Sequence, residues 1–247
     1  MKRSSISQVY AGVLVNAIYA MENYPVMLLN AMLMPFSMLV VITLASRGAL
    51  IGISILGAFI SALVSNGILL QADISHLKND LKLQDMIVSS PTPQINYVLG
   101  MAFSELVYTS PTLLVLFVLA LLFIHASIVG AAIAALAVSL IFVVATVIGY
   151  MFSTFSSDII QTWGFAGIVS VVFSTLPPVF YPITYIPKPY QYLAYLSPTT
   201  YAAEIAQNAM GFISLTQLNI AIDWAVLLAI LFVTLAVAIK RSRWREM

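Results

Sequence analysis

Apolar residues fill this chain in six long runs, and the polar residues between them set where each run ends. The runs lie near Val26–Ala45, Leu50–Gln71, Tyr97–Ile124, Ile128–Phe152, Thr162–Phe180 and Ile220–Ile239. Each is close to the ~20 apolar residues that a helix needs to cross the hydrocarbon core of a bilayer. The pattern predicts an all-α membrane protein with six transmembrane helices in a single domain over residues 1–247. An even number of spans puts both ends of the chain on one side.

The first 24 residues have a different pattern. Ile6, Val9, Tyr10, Val13, Leu14, Ala17, Ile18 and Met21 recur at three- and four-residue steps, the period of a helix with one apolar face. Ser5, Gln8, Gly12 and Asn16 fall off that stripe. This predicts an amphipathic helix over 1–24, lying along the inner membrane surface. Asn23-Tyr24-Pro25 ends it, because the residue before a proline avoids the helical region. Lys2 and Arg3 resemble the start of a signal peptide, but the polar Gln8 and Asn16 and the lack of an A-x-A site oppose that reading.

Two connections are longer and more structured than simple turns. DISHLKNDLKLQDMIVSSPTPQ, residues 73–94, holds five of the nineteen charged side chains. Span two is expected to continue helically to about Lys78. A short helix then follows over 81–88, ended by Ser90-Pro91 and Thr92-Pro93. Leu83, Met86 and Ile87 share its apolar face, with Lys82 and Asp85 beside them. Such a helix suits docking into a groove on another protein; a helix resting on lipid headgroups is the alternative.

The second connection, residues 175–211, carries six of the eleven prolines and six of the twelve tyrosines. Pro177 and Pro178 should kink or end the fifth span. Ser197 and Pro198 should start a further helix as cap and first residue, and Gly211 should end it. Irregular backbone at membrane depth survives only inside protein or along a cavity. The stretch is therefore expected to fold back as short external helices in the outer leaflet. Pro177, Pro178, Tyr181, Pro182, Pro187 and Pro198 would form a lid over a pathway, or the tyrosines would merely anchor a loop.

Composition narrows the class. The chain is 62% hydrophobic and 8% charged, too little charge to cover a water-soluble surface. Placed on the six-span plan, Lys2, Arg3, Lys78, Lys82, Lys240, Arg241, Arg243 and Arg245 fall on the side of the termini, and only Arg47 and Lys188 on the other. Positive residues favour the cytoplasm, so both termini and the 73–96 loop are expected there, in a multi-pass protein of the plasma membrane. A net charge of +1 gives no footprint for nucleic acid. The absence of cysteine excludes thiolate chemistry and Cys-ligated metal. No G-x-x-x-x-G-K-[ST] motif is present, so the chain itself is not expected to cradle ATP.

Glu105 falls inside the third apolar run. A carboxyl there is costly in lipid and should face the bundle or the inner interface, as a hydrogen-bonded structural acid or as part of a substrate or proton path. Glu204 is expected to face water from the external helix, and Asp223 to sit at the interface.

KLQDMIVSSPTPQINYVLG (82–100) and VFYPITYIPKPYQYLAYLSPTTYAAEI (179–205), with the N-terminal helix and six spans, resemble the membrane subunit of ABC-2 type transporters. The resemblance implies that 81–88 is a coupling helix, with Lys82, Leu83, Gln84, Asp85, Met86 and Ile87 contacting a cytoplasmic ATPase. It implies that ATP and Mg belong to that partner and that this chain binds no cofactor. It also implies a second permease chain, identical or a close paralogue, with a substrate path lined mainly by spans two and five. Relatives often carry an arginine soon after the last external helix, where this chain has Gln207-Asn208. The expected function is export from the cytoplasm driven by a separate ATPase; a channel or secondary transporter needing no ATPase is the alternative.

Overall fold

The computed structural model describes residues 5–79, 94–155 and 159–241. Among them, all regular structure is helical. The N-terminal helix runs as α1 (Ser5–Val13), a π turn (Leu14–Ile18) and α2 (Tyr19–Asn23). There follow α3 (Pro25–Ala45), α4 (Ile51–Asn79), α5 (Gln94–Phe123), α6 (Ile128–Phe155), α7 (Ile159–Ser174), α8 (Lys188–Ala194), α9 (Pro198–Ala209) and α10 (Gln217–Arg241).

Among the described residues, α3, α4, α5, α6 and α10 are long and apolar enough to cross a membrane. The fifth predicted span is helical only over α7, 16 residues, about 24 Å at the helical rise against a core of ~30 Å. Its apolar run continues past Ser174, but as irregular backbone. The predicted coupling residues Lys82, Leu83, Gln84, Asp85, Met86 and Ile87 lie outside the described residues.

Helix α4 is the centre of the bundle. α3, α5, α6, α7 and α9 pack around it, and 89% of its apolar window is buried, against 11% for α3 and 17% for α5 and α10. The outer helices instead turn large apolar side chains such as Leu33, Phe117, Leu121 and Phe232 outward, where lipid would meet them. Close approach in a membrane requires small residues. It occurs where α4 crosses α6: a Cβ on Gly149 would stand 2.6 Å from the carbonyl oxygen of Gly67.

Helix α5 runs through Pro111, which cannot donate to the carbonyl four residues before it. That carbonyl, on Val107, accepts from the Ser110 hydroxyl at 2.7 Å instead.

The N-terminal helix packs along the first turns of α5, and its polar edge points toward that helix. Gln8 accepts from Asn96 at 2.7 Å, Asn16 donates to the Met101 sulfur at 3.2 Å, and Ser104 donates to the Gly12 carbonyl at 3.3 Å. Ile6 and Tyr10 face outward. Gln8, Gly12 and Asn16, which fall off the apolar stripe, find partners on α5; of the stripe itself Ile6, Tyr10 and Leu14 are exposed, whereas Ala17 is fully buried.

Candidate functional site

Three of the polar residues of α4, Ser65, Asn66 and Ser75, tie the centre of the bundle to its neighbours. Ser54, Ser61, Ser65, Asn66, Gln71 and Ser75 are all buried. Ser65 donates to Ser174 on α7 at 2.9 Å, and Ser75 and Thr162 share a hydrogen bond of 3.2 Å further in. Asn66 donates to Thr109 on α5 at 2.8 Å, and Thr109 donates to the carbonyl of Glu105 at 2.6 Å. α4 and α7 are thus joined face to face by hydroxyl groups, with α4 enclosed by its neighbours. Such bonds are worth roughly 1 kcal/mol each in a membrane, weak enough to exchange if the helices slide.

At the end of the bundle where the N-terminal helix packs, expected to be the inner one, Glu105 is buried and hydrogen-bonds through its side chain with Asp73 of α4. Two carboxyl groups can bond this way only through a proton held by one of them. α4 does extend beyond Asp73, ending at Asn79, and this carries Asp73 back against α5. His76, one turn on, is exposed.

At the opposite end, expected to be the outer one, the backbone leaves α7 after Ser174 and turns into the bundle. Pro177, Pro178, Val179, Phe180, Pro182 and Ile183 are buried, and Tyr181 is half-buried. Gly57 of α4 makes room for this: a Cβ there would lie 2.5 Å from the Val179 carbonyl oxygen and 2.9 Å from the Phe180 Cα. Gly57 is about 9 Å along α4 from its outer end by helical rise. Irregular backbone at that depth needs internal partners, and Gln207 of α9 supplies them, its amide donating to both the Pro178 and Val179 carbonyls at 3.3 Å.

The rest of the segment divides differently. Ser197 caps α9, accepting from the Thr199 amide at 3.3 Å, with Pro198 in the first turn. Gly211, at φ 79°, follows the end of α9. Pro187, Tyr185, Tyr190 and Tyr192 are exposed, in the place of an outer aromatic belt. The segment thus divides into a buried stretch at 177–183, referred to below as the plug, and a largely exposed stretch at 184–196.

Glu204 and Asp223 depart from expectation. Each is only 4% exposed, because α9 and α10 pack against one another with these acids between them. The Tyr195 hydroxyl donates to Glu204 Oε1 at 3.4 Å. Burial, then the charge of Asp223, push the Glu204 carboxyl up to about 7. Burial and the neighbouring Glu204 push the Tyr195 phenol up to about 12.

Asp73 and Gln207 carry contacts that sequence reading did not assign. The helical continuation past Asp73 was the available sign for the first. For the second, the sign was a polar amide at 207 within an alanine-rich helical stretch.

The family model described as ABC-2 type transporter matches residues 8–211 of the chain. No curated protein matches it.

Proposed function

Because this chain belongs to the ABC-2 type transporter family, we propose that it is the permease subunit of an ATP-driven exporter, served by a separate cytoplasmic ATPase that binds ATP and Mg. It is a multi-pass membrane protein of the ABC type. On this reading both termini and the 73–96 loop face the cytoplasm, the membrane is the plasma membrane, and two permease chains pair.

The observation that carries the reading is the reach of α4. This helix contacts the outer plug at Gly57 and runs without a break to Asn79, immediately before the coupling segment at 81–88. A push at its inner end would act on one continuous rod of 29 residues. Closure of the ATPases would drive α4 along α7, exchange the Ser65–Ser174 and Ser75–Thr162 hydrogen bonds, and withdraw Gly57 from Val179. The plug would then be free to leave the outer end of the path. α7 turns Trp163, Phe165, Ile168 and Val172 outward, which gives a second permease chain an apolar face to meet.

Deletion of residues 81–88 tests this in the assembled transporter. Membrane insertion should be retained and ATP hydrolysis should no longer drive transport. Transport at the wild-type rate by the deletion would overturn the reading.

A further inference from the structure

Buried polar atoms nearly always have a partner, and one without is a sign of a missing water or ion. Several buried side-chain atoms among the described residues lack a hydrogen-bond partner, and Asp223 Oδ2 is the one carboxylate oxygen among them. It lies in a small group on the outer half of the molecule. Glu204 of α9 is close enough for the two acids to act on each other electrostatically. Tyr195 bonds to Glu204, and the Tyr201 hydroxyl donates to the Tyr195 carbonyl at 2.9 Å. The rings of Tyr195 and Tyr201 are 5.6 Å apart and tilted by 42°. Asp223 and Tyr195 are the groups that act on Glu204, and neither is a cation.

We propose that Glu204, Asp223, Tyr195 and Tyr201 form an outer-face site for a protonated amine. An ammonium group offers several N–H donors and a positive charge. Asp223 Oδ2 supplies an unused acceptor, Glu204 a second carboxyl, and the two phenol rings supply faces that attract cations. A metal ion fits less well: calcium takes six to eight oxygens, and no group of three or more metal-ligating acids or histidines occurs among the described residues. Leu193 and Leu196 flank Tyr195 in sequence and are exposed, so an amine carrying an alkyl chain is favoured. Oδ2 is covered in this conformation, and occupancy requires α9 to shift against α10.

Proton and amine compete at this site. Glu204 loses its proton around pH 7 and Asp223 also gains charge as pH rises, so apparent affinity should rise at least about tenfold from pH 6 to pH 8, in proportion to the ionised fractions. Asp223, Tyr195 and Tyr201 are the other titratable groups around it, and the phenols stay neutral over this range.

The test uses the purified full-length permease in phosphatidylglycerol nanodiscs, without any ATPase, so its outcome does not depend on the exporter reading. Hexylamine is titrated and binding is read from the thermal unfolding midpoint, with 1-hexanol as the neutral control. Saturable stabilisation by the amine alone is expected, with the pH dependence above. Asp223→Asn and Glu204→Gln should each weaken it at least tenfold at pH 8, and Glu204→Gln should also flatten its pH dependence. Both variants should unfold at or above the wild-type temperature without ligand, which separates lost binding from lost fold. Competition by phosphatidylethanolamine in the disc would identify a lipid headgroup as the source of the amine; undiminished binding would identify a free amine. Equal stabilisation by hexanol, no saturable binding, or unchanged affinity in Asp223→Asn would each overturn the proposal.

Discussion

The side-chain amide of Gln207 donates to the carbonyl oxygen of Val179 at 3.3 Å, joining α9 to the irregular backbone that follows α7. The same amide reaches the Pro178 carbonyl, so one side chain serves two buried acceptors. Gln207→Leu keeps the volume and removes both bonds. Unmade buried hydrogen bonds cost about 1–3 kcal/mol. The variant should unfold at lower denaturant concentration by that amount, and protease cleavage within 175–183 should become faster from the outer side.

Gly57 holds the same stretch from the other side. An alanine methyl there would stand 2.5 Å from the Val179 oxygen, and its obstacle is backbone, which cannot swing aside. Overpacking of this kind costs about 1–3 kcal/mol. Gly57→Ala should therefore destabilise the protein although alanine is the better helix former. Since both changes unseat one segment, Gly57→Ala with Gln207→Leu should cost less than the sum of the two. Chemical unfolding of the four proteins measures this directly.

These two contacts also mark where the sequence stops being legible. The long helices fall close to the predicted runs because exclusion of charge from lipid is a strong signal. The run from Thr162 to Phe180 is apolar throughout, and nothing in its hydropathy distinguishes a helix from a plug buried in protein. The prolines at 177 and 178 announced the change, and the depth at which it happens came only with Gly57. Acids misled for a related reason. A lone Glu204 or Asp223 is usually solvated, and only the packing of α9 on α10 puts both out of water. The polar edge of α1 could be read by period, but not whether water or α5 would face it.

The Asp73–Glu105 pair predicts an asymmetry between single and double substitutions. Glu105→Leu leaves Asp73 with its carboxyl partner gone at the inner end of α4. Losing one member of a buried polar pair costs about 1–3 kcal/mol, whereas replacing both by apolar groups can be nearly neutral. Glu105→Leu should thus destabilise clearly, and Asp73→Leu with Glu105→Leu should recover most of the loss. Glu105→Gln, which still offers a donor to Asp73, should be milder than either single leucine. Equal losses for the single and double leucine variants in chemical unfolding would show that the two side chains act separately.

Glu204 gives stability a dependence on pH whose sign can be worked out. Its carboxyl is raised from an ordinary 4.5 to about 7 by burial, with Asp223 adding to the shift and the Tyr195 hydrogen bond opposing it. The folded chain therefore binds this proton more tightly than the unfolded chain does, and linkage makes stability fall as pH rises wherever that holds. The contribution of Glu204 is whole below about pH 4.5, declines through the interval up to about 7, and is lost above it. Wild-type protein in nanodiscs should show a falling unfolding temperature across that interval. Glu204→Gln keeps a hydrogen-bonding group but cannot ionise, so its curve should be flatter there and should lie above the wild type at pH 8. Parallel curves for the two proteins from pH 4.5 to 8 would mean that Glu204 is not buried beside Asp223 in the membrane.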